Sequence, residues 1–166
     1  FSIKSVDINP VDKSIVITSE VSRYVYYTYS NSTYNSNTRT WNNQITHVHR
    51  FTNQDILLIN ADQNGNIKWL NAMPKSQREE FRISNNNYAG GWGLAYMGGN
   101  YFATSGGMPF YSSYKTLINN NNLVLIMNDH SSNNVNAEYG DKVKAVSNFR
   151  KRSNTYGITI DMATGK

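Results

Sequence analysis

Cysteine is absent from the 166 residues, which excludes a disulfide framework, a thiolate zinc site and a cysteine nucleophile. The chain is then expected to fold on packing alone. Long apolar runs are missing too: none approaches the length that spans a bilayer, and no positively charged leader precedes an apolar stretch at the N-terminus. No transmembrane segment is expected. Charge is sparse, 16 basic against 11 acidic residues for a net +5. The acids stand mostly alone, Glu79 and Glu80 excepted, so no glycosidase dyad is readable. Gly90, Gly91 and Gly93 lack the flanking strand and helix of a phosphate loop, and neither a nucleotide nor a nucleic acid is expected as ligand. The chain opens at Phe1 and not at Met, which reads as a processed product or part of a longer chain.

What is abundant is Asn, 25 residues, and aromatic side chains, with Tyr 12, Phe 6 and Trp 3. Aromatic rings bury large areas each, so a folded domain is expected despite an apolar fraction of only 39%. A length of 166 residues suits one domain, with two small ones possible. Apolar residues recur at short period and are β-branched or aromatic, which predicts strands throughout. Ser14 to Tyr29 reads as one long strand or two. Asn31 to Asn43, rich in side chains that compete for backbone hydrogen bonds, reads as a loop. Asp55 to Ala61 is apolar on both faces, like a central strand covered from both sides. Asp62 to Asn66 reads as a turn, Ile67 to Met73 as a returning strand ended by Pro74. Lys115 to Met127 reads as a hairpin, Asn128 to Asp141 as polar loop, and Tyr156 to Met162 as an alternating strand. Only Gln77 to Phe81 is helix-compatible, and it is too short to matter. Leu57, Ile59, Trp69, Leu123, Leu125, Ile158 and Ile160 are the expected core.

Two segments share one design: DILLINADQNGNIKW at Asp55 to Trp69 and YGITIDMATGK at Tyr156 to Lys166. Each is a strand, an Asp near its end and a Gly-containing turn. This resembles the strand, D-x-x-G turn and Trp-bearing strand of quinoprotein-like β-propeller blades, and the 100 residues between Gly65 and Gly165 suit two blade periods. A fuller resemblance is to uncharacterised secreted β-propeller-like proteins of Bacteroidota. It rests on SIVITSE at Ser14 to Glu20, the stretch His49 to Gln77, YSSY at Tyr111 to Tyr114, NNLVLIMNDHSSNN at Asn121 to Asn134, and the closing GITIDMATGK. Where those relatives carry a Gly-Gly pair before the first strand, this chain has Lys13 and Ser14. The resemblance implies a fold and an extracytoplasmic setting, secreted, surface-bound or periplasmic, and transfers no catalytic residue.

The expected architecture is therefore all-β: a single domain over 1–166, a partial β-propeller or stack of antiparallel β-meanders joined by long Asn/Ser-rich loops, belonging to a longer chain. Among candidate sites, His47 and His49 share one side of a strand, and with His130 could ligate a metal, but solvent-facing histidines are the preferred reading. Asp62, Asn64 and Asn66 imitate part of a calcium loop, yet the glycine comes early and Met73 stands where the bidentate Glu belongs. The run Ala103 to Gly107 matches a nucleophile elbow without the helix that must follow. No metal, cofactor or catalytic residue is assigned. Lys142, Lys144, Arg150, Lys151 and Arg152 form a basic cluster that could meet an anionic partner or simply guard a strand edge. Trp92, Tyr96, Tyr101, Phe102, Phe110, Tyr111 and Tyr114 lie among glycines, and of these Trp92, Tyr96, Tyr101, Phe110 and Tyr111 are the expected ligand-binding rings, suited to a glycan. Packing of those rings in the core is the competing reading. The function expected is a non-catalytic interaction module, either a subunit of an outer-surface assembly, with a protein partner or the rest of its own propeller, or a glycan-binding domain. The alternative is a glycan-active hydrolase or lyase with loop-borne acids.

Overall fold

The computed structural model describes residues 1–84, 111–133 and 137–166. Strands hold 66% of them, and no helix occurs among the described residues. Among the described residues eight strands follow in order: β1 (Ser2–Ile8), β2 (Ile15–Asn35), β3 (Thr40–Ala61), β4 (Ile67–Met73), β5 (Gln77–Ser84), β6 (Tyr114–Asn119), β7 (Asn122–His130) and β8 (Ser153–Asp161). They form sheet A, ordered β1-β2-β3-β4 with β5 paired to β3, and sheet B, ordered β6-β7-β8. The all-β, antiparallel expectation holds. Several details differ. Asn31 to Asn43 is no loop but the tip of the β2–β3 hairpin, because Thr, Tyr and Trp favour extended backbone and a ladder needs no core beneath it. Gln77 to Phe81, helix-compatible but too short for a helix, is strand, and β1 has no counterpart in the sequence reading.

Contacts gather the chain into two units, Phe1–Arg23 with Phe51–Glu79 and Tyr111–Lys166, and Tyr24–Arg50 with Glu80–Phe110. In the first unit the sheets pack face to face. Val16, Ile56 and Leu58 of sheet A meet Tyr114, Leu123, Leu125, Met127, Ile160 and Met162, with Trp69, Met73, Ile118 and Ile158 at the margin. Leu123, Leu125 and Ile160 are buried as expected. Leu57 and Ile59 are not: they alternate with Ile56 and Leu58, so one pair faces sheet B and the other faces outward, half-buried. The second unit holds the β2–β3 hairpin, closed at Ser36 to Arg39, where Asn35 Oδ1 accepts the backbone N–H of Asn37 at 3.0 Å.

The repeated turns fold alike. Asp62 Oδ1 accepts the N–H groups of Asn64 and Asn66 at 2.8 Å, and Asp161 Oδ1 accepts those of Ala163 and Thr164 at 2.8 and 2.9 Å. The Gly65 N–H returns to the Asp62 carbonyl and that of Gly165 to the Asp161 carbonyl, so the second turn is one residue longer. The copies also touch: the Trp69 indole donates to the Met162 carbonyl at 2.8 Å, and a Cβ on Gly165 would lie 2.7 Å from the ring. They therefore mark adjoining sheets, not sheets two blade periods apart.

Both glycines have positive φ, +86° at Gly65 and +76° at Gly165, but only Gly165 is walled in. Gly65→Ala should cost about 1 kcal/mol for its left-handed backbone, whereas Gly165→Ala should cost about 1–3 kcal/mol more by overpacking against Trp69. Equal losses in urea titrations would refute the close approach. The turn carboxylates also predict a pH dependence. Asp62 is held below its ordinary 3.8 chiefly by the Asn66 side chain and backbone, and Asp161 chiefly by the Thr164 N–H. Since their folded values are depressed, the stability they lend is present above about pH 3.8 and lost as pH falls below it. Asp129, raised by burial, acts in the opposite sense. Asp62→Asn with Asp161→Asn should flatten the acid limb of the stability curve, and an unchanged limb would show that other groups set it.

Candidate interaction surfaces and a buried polar cluster

Residues directly opposite in neighbouring strands share a face. In sheet A the pairs Val6 with Ile17, Ile8 with Ile15, Leu57 with Ala72, Ile59 with Leu70 and Ala61 with Ile67 all lie on the face turned from sheet B. This outward face is apolar across four strands. Val6, Ile8, Ile67 and Leu70, on its two edges, are each more than half exposed. Contiguous exposed apolar patches are uncommon on monomer surfaces and are where contact sites are often found.

The second unit carries a different surface. The Tyr24 hydroxyl shares a hydrogen bond with His49 Nδ1 at 2.8 Å, and Tyr26 with His47 Nδ1 at 2.7 Å, while the Tyr26 and His49 rings lie 5.0 Å apart. Alternation continues the row through Ser32, which donates to Asn43 Oδ1 at 2.7 Å, to the Tyr34–Trp41 ring pair at 5.3 Å. Tyr26, Tyr34 and Trp41 are half exposed or more. The histidines are thus half-buried tyrosine partners, and burial lowers the pKa of His49, with His47 adding to it. On the other face Arg50 donates to Glu80 at 2.8 Å and to the Tyr27 hydroxyl at 2.7 Å, and Arg82 pairs with Glu80.

Within the first unit lies a polar cluster that the sequence reading missed. Lys75 and Glu20 have no exposed side-chain surface and bond Nζ to Oε1. Lys75 Nζ also donates to Gln77 Oε1 at 3.1 Å and lies 5.4 Å above the Tyr114 ring. Glu20 Oε2 accepts from Ser113 Oγ at 2.8 Å and pairs with Lys4 at 3.1 Å. Ser113 takes a left-handed φ of 81°, and its N–H donates to Gln77 Oε1 at 2.6 Å. Burial pulls the Lys75 pKa down, while the Glu20 carboxylate pulls it back. Nearby, Glu79 Oε2 accepts the N–H groups of Tyr111 and Ser112, and Asn53 donates to Ser112 Oγ at 2.9 Å. Only a polar alternation, Lys75, Gln77 and Glu79, signalled this row.

The other expected site residues are scattered. Lys142, Lys144, Arg150, Lys151 and Arg152 are all exposed. Tyr111 is exposed and stacked on Phe149, while Tyr114 is core, its hydroxyl pushed up to about 12 by burial. Trp92, Tyr96, Tyr101, Phe102 and Phe110, with the Ala103 to Gly107 run, lie outside the described residues. Among the described residues no group of three or more His, Cys, Asp or Glu could hold a metal, and no helix is long and apolar enough to cross a membrane. The chain matches no known family, no curated protein and no solved structure.

Glu20→Leu takes the carboxylate from the buried Lys75 ammonium and should cost about 3–5 kcal/mol, whereas Lys75→Met should cost less because Glu20 keeps Lys4. Glu20→Leu together with Lys75→Met should cost less than the sum of the single changes, as chemical denaturation would report. Additive losses would mean that the two groups are not coupled.

Proposed function

We propose that the chain is a non-catalytic interaction module of the cell exterior, one stackable unit of a larger propeller-like assembly. The outward face of sheet A carries this reading: a sheet apolar on both faces is the kind found covered on both, and sheet B covers only one. Sheet-on-sheet packing with the repeated Asp-Gly turn in each sheet supports a propeller-like stack. The secreted setting rests on the resemblance to Bacteroidota proteins. Of the loop-borne acids that the enzyme alternative would use, Asp12, Asp62 and Asp141 are engaged within their own turns. Ile8→Lys with Leu70→Lys should leave the strand spectrum intact and abolish concentration-dependent self-association of the chain in sedimentation velocity. A natural chain that stays monomeric at every concentration, or that turns over glycoside, ester or peptide substrates, would overturn the proposal.

The hairpin surface favours a second role, glycan binding, at a place other than the rings expected from sequence. Tyr26, Tyr34 and Trp41 offer ring faces for sugar stacking, with hydroxyl and amide groups of Ser32 and Asn43 between them and no Lys, Arg, Asp or Glu in the row. That chemistry fits a neutral oligosaccharide. Tyr26→Ala and Trp41→Ala should each lower retention on a neutral glycan array at least tenfold without loss of fold. Unchanged retention, or no retention by the natural chain, would remove this role.

A further inference from the structure

We propose that Lys75 and Glu20 condense into an intramolecular amide, a covalent cross-link between β2 and the segment that follows β4. The two reacting groups are in contact, and both side chains are fully buried. Gln77 Oε1 orients the amine at 3.1 Å and is itself fixed by the Ser113 N–H at 2.6 Å. Ser113 Oγ, at 2.8 Å, and the Lys4 ammonium, at 3.1 Å, both act on Glu20 Oε2 and leave Oε1 to Lys75. The carboxyl group is thus divided into a polarised carbonyl and a leaving oxygen.

The step balances without a co-reactant. The Lys75 ammonium passes one proton to Glu20 Oε1, leaving a neutral amine and a neutral acid. The Nζ lone pair attacks Cδ, and the charge that develops on Oε2 is met by the Ser113 hydroxyl and Lys4. Collapse breaks the Cδ–Oε1 bond, and Oε1 departs as water carrying a second proton from Nζ. One N–H remains on the amide, aimed at Gln77 Oε1. Burial favours the reactive neutral amine, as the lowered pKa of Lys75 indicates. It also favours the product, because condensation removes two charges that are costly in a dry interior, and it supplies proximity in place of concentration. The cross-link would close the loop from Glu20 to Lys75 in a chain that has no cysteine, and no reductant would open it.

Intact mass measured under denaturing conditions tests this directly. The natural chain should weigh less than its sequence by the mass of one water molecule. Tandem mass spectrometry of a proteolytic digest should show a branched peptide joining Glu20 to Lys75, and trypsin should fail to cut after Lys75. Lys75→Arg and Glu20→Ala should each show the full sequence mass. Since the readout needs no folded variant, the natural chain decides: full mass, or a water loss mapped to any other residue pair, overturns the proposal.

Discussion

Val16, Ile56 and Leu58 on one sheet and Leu123, Leu125 and Ile160 on the other close a slab from which water is excluded, and that exclusion sets the terms for every polar group at its edge. An amide or carboxylate beside such a slab must find a protein partner or cost the fold its desolvation. Asn60, fully buried, donates to the Met162 carbonyl and to Ser14 Oγ, while its Oδ1 finds no partner among the described residues and bears that cost. Asn9 donates to Asn121 at 2.9 Å. Lys75 and Glu20, fully buried in the same unit, meet each other. The unusual number of asparagines is thus partly explained by internal bonding between turns and strands.

The strands were legible because β-branched and aromatic residues alternate, and so were the two Asp-Gly turns, whose side-chain acceptors need only local sequence. The β6–β7 hairpin was legible for the same reason, since Asn120 takes the positive φ that such turns demand. Burial was harder to read. In a strand with apolar residues at every position, period 2 says that two faces differ without saying which is inward, and Leu57 and Ile59 fell on the outward one. The Asn31 to Asn43 hairpin was hidden for a different reason: its ladder is satisfied by cross-strand pairs such as Ser32 with Asn43, which composition reads as loop.

The candidate sites were less legible still. The Lys75 cluster joins residues from four separate stretches, around Lys4, Glu20, Lys75 to Gln77, and Ser113, and no spacing rule links them. The tyrosine and histidine row required the pairing of β2 with β3, which brings Tyr24 to His49 and Tyr26 to both histidines. Each residue had been visible alone. What the sequence could not supply was the pairing that turns single rings into a surface.

The outward face of sheet A and its inward face are chemically alike, both lined by β-branched and aliphatic residues, yet they meet different fates. Inward, Ile56 and Leu58 are fully buried against sheet B; outward, Leu70 across from Ile59 remains more than half exposed. If the outward face were only a surface, polar residues at Val6, Ile8, Ile67 and Leu70 would serve equally well, and would oppose sheet-to-sheet aggregation. Apolar residues at all four positions act instead as the inward face does, by favouring a second apolar layer at sheet-packing distance. The same rule that buries the core, applied once more in the outward direction, is the physical ground for the stacking we propose.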